Sequence, residues 1–207
     1  MKKIFILSFF ICFSFLTTQV FSQEFKAGIL LGGIASQVDG DNMSGYYKAG
    51  FTGGLFVFRD YKENSRFQGE ILFSMKGSRC SPKNTNPDLL QVSANYIDIN
   101  LSYIYKLFSF LHCRIGIMPS VLVFSEEKTP TNLIQIADEA PAFRSFGLLG
   151  NAGVSYFFND RLSINWTYNY SLYSIRSGNA EIYTDWLLKE QNNQRHNYMS
   201  FTLAYQF

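Results

Sequence analysis

The sequence predicts an all-β fold, an eight-stranded antiparallel up-and-down β-barrel that crosses a membrane. Three observations support this prediction. Segments of about ten residues alternate apolar and polar side chains, which is the period of a strand with one apolar face. They are longer than typical globular strands and match the length of a tilted strand that crosses a bilayer. The connections between them alternate between short and long, as in outer-membrane barrels.

The composition excludes several other classes of protein. Aromatic residues make up 17% of the 207 residues and charged residues 16%, against about 25% charged residues in ordinary soluble domains. A disordered chain is polar, charged and poor in aromatics, so disorder is excluded. Beyond residue 22, no apolar stretch reaches the roughly 18 residues of a membrane-spanning helix. The 18 basic and 16 acidic residues form no basic run, so no nucleic-acid partner is expected.

Residues 1–22 have the pattern of an export signal peptide. Two lysines precede an apolar run over 4–16, and small Ser22 stands before a plausible cleavage site. The run is too short to be an uncleaved membrane anchor. We therefore expect a cleaved signal peptide at 1–22 and a barrel domain at 23–207. The mature chain then has 16 basic and 16 acidic residues, which gives no long-range steering of a charged partner.

Eight segments of the mature chain are predicted to be strands. The clearest alternation between apolar and polar residues occurs in four of them: 67–77, 97–107, 162–172 and 198–207. The other four are richer in glycine or apolar on both faces: 25–36, 47–59, 112–124 and 143–158. Pro119 lies inside the fifth strand, and because proline cannot donate to a strand ladder we expect a bulge or a bend there.

The connections predict how the barrel is oriented. Short turns at 60–64, 108–111 and 159–160 alternate with four longer loops, at 37–46, 80–91, 125–142 and 175–195. An even number of strands leaves both termini on the side of the short turns, which is the periplasmic side in outer-membrane barrels. Closure is expected because no backbone edge can stay unpaired in lipid. The predicted localisation is thus integral to the outer membrane, with both termini periplasmic.

The interior of an eight-stranded barrel is filled by its own side chains. Six charged residues of inward parity are expected to form an ion network, because buried carboxylates require partners: Glu70, Asp98, Arg66, Lys76, Lys106 and Arg114. Inward glycines of the first two strands, at 28, 32, 50 and 54, are expected to leave room for these bases and for Phe56 and Phe58. A polar plug of this kind argues against a general diffusion pore.

The last strand and the last long loop each suggest a contact with another molecule. Alternating residues that end in an aromatic side chain are expected to be the signal for the barrel-assembly machinery: Phe201, Leu203, Tyr205 and Phe207. Four loop residues at helical spacing are a hypothetical contact for a protein partner: Ile182, Tyr183, Trp186 and Leu187. The alternative is that these four pack over the barrel mouth. The acidic loop at 125–142 is expected to be solvated.

No catalytic, cofactor or metal site is predicted. The sequence has no metal-ligand spacing and no phosphate loop followed by a helix. His196 could form a hydrolytic set with Ser200 and Glu181, as in a lipid-modifying barrel, but a rim histidine among interfacial polar groups is favoured. Cys80 and Cys113 fall near opposite ends of the strand map, so two unpaired thiols are expected.

Several stretches resemble the PorT-like outer-membrane β-barrel family of Bacteroidetes. They are Lys-Ala-Gly at 26–28, the glycine-rich 50–56, Glu-Ile-Leu-Phe-Ser-Met-Lys-Gly at 70–77 and Tyr-Ile-Asp-Ile at 96–99. Gly69 and Asn100 stand where the family usually has proline. The resemblance implies an eight-stranded barrel. It also implies an accessory role in protein secretion, since the named member of the family takes part in type IX secretion.

The function expected from the sequence is that of a non-enzymatic, monomeric outer-membrane barrel with a structural or accessory role. Its expected partners are membrane lipid, the assembly machinery and a protein at the outer loops, and no cofactor is expected. The first alternative is an adhesin or an uptake-complex accessory that acts through the outer loops. The second alternative is a lipid-modifying barrel enzyme.

Overall fold

The computed structural model describes residues 25–41, 43, 45–81, 91–128, 143–176 and 194–207. Its eight strands are β1 (Lys26–Asp39), β2 (Lys48–Lys62), β3 (Ser65–Arg79), β4 (Gln91–Lys106), β5 (Leu111–Lys128), β6 (Phe146–Phe157), β7 (Leu162–Ser171) and β8 (Arg195–Gln206). Each strand pairs antiparallel with its neighbour in sequence, and β1 pairs with β8 to close the barrel. The predicted eight-stranded up-and-down barrel is confirmed. The predicted signal peptide lies outside the described residues.

The alternation of side chains separates an apolar outer face from a polar interior. On β3, for example, Ile71 is 61% exposed whereas Glu70 is 4% exposed. The exposed apolar side chains form a belt around the barrel: Leu55, Ile71, Ile99, Leu101, Ile115, Ile117, Ile164 and Leu203. Exposed aromatic side chains border this belt near the short turns: Phe67, Tyr103, Tyr105, Tyr156, Phe158, Tyr205 and Phe207. An apolar belt with an aromatic border is typical of barrels that contact lipid. In the part of the chain described, no helix is long and apolar enough to cross a membrane.

The two ends of the barrel differ in their connections. Residues 63–64, 107–110 and 158–161 make short turns at one end, called here the short-turn end. The described residues of the other four connections, 40–41, 43, 45–47, 80–81, 143–145, 172–176 and 194, lie at the opposite, long-loop end. β1 begins and β8 finishes at the short-turn end.

Strands near the long-loop end extend further than predicted. β4 begins at Gln91 rather than at residue 97, and β5 continues to Lys128, which pairs with Gln91. The predicted loop at 125–128 is therefore strand. Residues 91–96 alternate as well, but polar Gln91, Ser93 and Asn95 are the outward side chains and apolar residues point inward, so the segment lacks the apolar outer face by which the other strands were predicted. β6 begins at Phe146 rather than at residue 143, and Phe143 instead forms an isolated bridge with Arg176.

Of the bulge or bend predicted at Pro119, the strand register excludes a bulge. The register between β4 and β5 is the same at Asp98 and Ser120 as at Leu101 and Ile117, on either side of the proline. The ladder lacks only the β4 pairs of Pro119 and Met118, because a missing N–H removes a bond without adding a residue. The register shifts instead between Asn95 and Tyr96, closer to the long-loop end.

Candidate functional site

The lumen holds the largest group of buried charged side chains in the described part of the chain. Two cavities of only about 30 Å³ and about 10 Å³ lie inside it. A single water needs about 10–15 Å³ of such volume, so these cavities hold at most a few waters. Around these cavities, the described side chains of the strands fill the lumen in polar and apolar layers.

The polar layer nearer the short-turn end is centred on Glu70. Its Oε1 accepts hydrogen bonds from Arg114 Nη2 and, at 2.7 Å, from Gln68 Nε2. Its Oε2 accepts a bond from Asn100 Nδ2 at 2.9 Å, and Asn151 Nδ2 donates to Asn100 Oδ1 at 2.8 Å. Both oxygens of the buried carboxylate are thus satisfied by strands β3, β4 and β5.

The second polar layer is centred on Asp98 and Lys76. Both side chains are fully buried, and Lys76 Nζ lies 2.8 Å from Asp98 Oδ1. Ser120 Oγ donates to the same oxygen at 2.5 Å. The Lys76 ammonium also lies 4.6 Å from the ring centroid of Tyr96 and 5.1 Å from that of Tyr198. The charge of this lysine is therefore compensated by one carboxylate and two aromatic faces.

Apolar side chains fill the space around these two layers. One cluster contains Ile34, Met118, Leu149 and Tyr198. The other contains Leu30, Phe56, Phe58, Leu72 and Ala204. A Cβ at Gly28 would lie 2.4 Å from Cζ of Phe56, so only glycine leaves room for that ring. Gly28 thus has the role predicted for the inward glycines, whereas an added Cβ at Gly32, Gly50 or Gly54 would instead meet the backbone of the neighbouring strand.

The six residues of the predicted ion network divide into two groups. Four form the pairs Glu70–Arg114 and Asp98–Lys76 in the lumen. Arg66 and Lys106 do not join them, and instead bind Asp60 at the short-turn end, at 2.9 Å and 3.2 Å. Sequence reasoning missed Asp60 because residue 60 was assigned to a turn. Its pairing opposite Arg66 in the β2–β3 register is the signal that could have identified it.

Arg176 joins three segments at the long-loop end. Its Nη2 contacts Glu127 Oε1, its Nε donates to Gln194 Oε1 at 3.0 Å, and its guanidinium lies 3.9 Å from the centroid of the Phe143 ring. The expectation that the acidic stretch after residue 125 is solvated is thus wrong for Glu127. Sequence reasoning also missed Arg176, because residues so far apart in sequence share no strand register.

The structure does not bring the hypothetical hydrolytic set together. His196 lies inside the barrel, not at its rim, because β8 begins at Arg195 and gives His196 the inward parity of Tyr198. His196 Nε2 lies 3.1 Å from Tyr96 Oη, whereas Ser200 Oγ bonds Thr167 Oγ1 at 2.5 Å. Glu181 and the apolar residues at 182–187 lie outside the described residues. No group of three or more metal-ligating side chains occurs within the described ranges.

The remaining predicted residues lie on the surface or near the ends. Phe201, Leu203, Tyr205 and Phe207 all have exposed side chains on the outer face, and the rings of Tyr205 and Phe207 meet edge to face. Cys80 and Cys113 are free thiols, near the long-loop end and the short-turn end respectively.

Asp41 makes the long-loop end sensitive to pH. It accepts bonds from Met43 N at 2.9 Å and from Ser78 Oγ, and burial raises its pKa from 3.8 to about 6, with a smaller effect of nearby Asp39. Between pH 3.8 and 6 the folded state therefore binds more protons than the unfolded state, and the free energy of unfolding rises as pH falls. From pH 7 to pH 5 we expect Asp41 to contribute about 1 kcal/mol.

This pH effect can be measured by urea unfolding at both pH values. Between pH 7 and pH 5, the free energy of unfolding of the wild-type protein should rise by about 1 kcal/mol more than that of the Asp41→Asn variant. An equal pH dependence of the two proteins would contradict the assignment to Asp41.

A family model and several solved structures match this chain. A family model described as outer membrane protein beta-barrel domain matches residues 19–177. Among solved structures, the attachment invasion locus protein Ail of Yersinia pestis has 13% identity and a TM-score of 0.47, with 89% of this chain and 99% of that chain covered. Neisserial surface protein A has 15% identity and a TM-score of 0.46, and the match covers 88% of this chain and 96% of that chain. A de novo designed transmembrane β-barrel has 11% identity and a TM-score of 0.40, and the match covers 87% of this chain and 95% of that chain.

No curated protein matches the chain. The family model covers well over half of the sequence, and the closed barrel with its apolar belt is the architecture that its description names. The protein therefore belongs to the family of outer membrane protein beta-barrel domains and is an integral outer-membrane protein.

Proposed function

We propose that the protein is a plugged, monomeric and non-enzymatic barrel with a structural or accessory role in the outer membrane. The single observation that carries the proposal is the filled lumen. Two buried ion pairs and apolar layers occupy it, and the two cavities enclosed by the described residues measure only about 30 Å³ and about 10 Å³. A protein without a path for solutes acts through its outer face and its two ends.

Orientation and assembly belong to the same proposal. The short-turn end faces the periplasm, so that both termini of the mature chain lie there after removal of a signal peptide at 1–22. The outward aromatic and apolar residues at the end of β8 serve as the signal for the barrel-assembly machinery. The separate partners of His196 and Ser200 support a non-enzymatic role.

Two accessory roles are compatible with a plugged barrel. The resemblance to PorT-like proteins favours a part in protein secretion. The extension of β4 and β5 beyond the apolar belt, together with the Arg176–Glu127 contact, favours binding of a partner at the long-loop end, as in an adhesin or an uptake-complex accessory. Export of secreted proteins and attachment to surfaces, compared between wild-type cells and cells lacking the protein, separate the two roles.

A permeability assay tests the plugged lumen directly. Liposomes that contain the purified, folded protein should not swell in an isosmotic solution of a small sugar, and planar bilayers should show no conductance steps. Empty liposomes and liposomes with an open porin provide the two reference rates. Swelling near the porin rate would overturn the proposal.

A further inference from the structure

A cavity of about 840 Å³ opens at the short-turn end of the barrel. It is many times larger than the cavities of the lumen and within the range of small-molecule sites. Its polar lining includes Lys26 of β1, Arg66 of β3, Lys106 of β4 and His112 of β5. Side chains from four strands thus converge on one concave surface.

The charges of this cavity are not balanced. Among the described residues that line it, three are basic and one, Asp160, is acidic. Arg66 and Lys106 share a single carboxylate, that of Asp60, and Lys26 has no ion-pair partner in the described part of the chain. In the lumen, by contrast, each of the two buried bases has its own acid. The cavity therefore has unused positive charge, which attracts an anion.

Arg66 is held in place for such a contact. Its guanidinium lies 3.7 Å from the centroid of the Phe58 ring, and its Nε and Nη2 donate to the two oxygens of Asp60 at 2.9 Å and 3.2 Å. Its third nitrogen, Nη1, has no partner among the described residues. A guanidinium whose position is already fixed loses little freedom when its remaining donors bind a phosphate.

The rim of the cavity is apolar. Phe108 and Phe110 belong to the β4–β5 turn, and their rings stack with centroids 5.7 Å apart. Phe158 in the β6–β7 turn also lines the cavity, and all three rings are about half exposed. These rings continue the aromatic border of the lipid-facing belt through Tyr156, whose ring lies 5.8 Å from Phe110 and 5.2 Å from Phe158. A ligand in this cavity would contact basic side chains in its interior and apolar rings at its rim, next to the membrane.

We infer that this cavity is a binding site for a phosphate group, carried by an anionic phospholipid or present as free phosphate. The bases bind the phosphate by charge-assisted hydrogen bonds. The aromatic rim, next to the bilayer, contacts the glycerol and the first carbons of the acyl chains when the phosphate belongs to a lipid.

Binding to the purified, folded protein tests the inference with two probes. Native mass spectrometry measures retention of phosphatidylglycerol, with an uncharged diacylglycerol as reference, and calorimetry measures binding of inorganic phosphate. The double variant Lys26→Gln/Lys106→Gln should bind phosphatidylglycerol about tenfold more weakly than the wild-type protein, because two charged contacts are lost. Lys62→Gln is the matched control, since Lys62 is exposed at the same end but does not line the cavity.

The outcomes separate the two sources of the phosphate. Retention of phosphatidylglycerol that inorganic phosphate competes away supports the site with a lipid as its ligand. Binding of inorganic phosphate without retention of the lipid supports the site with a free anion. The inference is overturned when neither probe binds, or when Lys62→Gln weakens binding as much as the double variant. Heat-modifiability on gels shows that each variant is folded.

Discussion

Replacing Glu70 with alanine is expected to lower the free energy of unfolding by about 3–5 kcal/mol. The carboxylate accepts bonds from Arg114, Gln68 and Asn100, and all four side chains are buried. Its removal leaves the Arg114 guanidinium without its counter-ion inside the barrel. An uncompensated buried charge is the main reason why breaking a buried ion pair is destabilising. Urea unfolding in lipid, followed by tryptophan fluorescence, to which Trp166 on β7 contributes, measures the change.

Two further variants make the Glu70 experiment specific. Glu126→Ala removes a carboxylate that is half exposed and 3.8 Å from Lys128, so its effect should stay within about 0.5 kcal/mol. Glu70→Gln keeps the shape of the side chain and loses only its charge, and we expect an intermediate effect. Similar unfolding midpoints for Glu70→Ala and Glu126→Ala would mean that water solvates the charges of the lumen.

A Gly77→Ala substitution is the second change with a large expected effect. Gly77 lies in β3 with a φ of 142°, a conformation that side chains of L-residues rarely adopt, and an added Cβ would lie 2.0 Å from the carbonyl oxygen of Val92. Backbone strain of this kind costs about 1–3 kcal/mol, and displacement of β4 adds to it. We expect a total loss of about 3 kcal/mol or more, measured as the folded fraction by heat-modifiability on gels.

The matched control for Gly77 is another glycine of the barrel wall. At Gly33 an added Cβ would meet no atom closer than 3.8 Å, and its nearest neighbour is the carbonyl oxygen of Gly50. Gly33→Ala should therefore fold as well as the wild-type protein. Equal folded fractions for Gly77→Ala and Gly33→Ala would show that β3 and β4 can separate locally without cost.

The parity of a strand is the feature that sequence predicts best. Glu70 and Ile71 point to opposite faces because successive side chains of a strand alternate, and this depends only on neighbouring residues. The same rule failed where a strand boundary was wrong. With β8 predicted to begin at residue 198, His196 was placed at the rim, although its parity within the longer strand directs it inward.

Contacts between a strand end and a distant connection were not predictable in this way. Glu127 and Arg176 meet across the long-loop end, and neither strand register nor hydropathy links them. The Asp60–Arg66 contact is intermediate in predictability. It follows from the register of the β2–β3 hairpin once the turn is known to be short. Sequence patterns thus predict the interior of the barrel better than its two ends.

The one-to-one pairing of acids and bases in the lumen also has an electrical consequence. Among the described residues, the middle of the barrel holds Glu70 with Arg114 and Asp98 with Lys76, so each layer is neutral as a whole. An ion that passes either mouth meets no net charge in these two layers, and it would have to lose its hydration shell to move between them. We therefore expect the barrel to oppose ion passage electrically as well as sterically, and a substitution that only widens the lumen should leave ion flux low while both pairs persist.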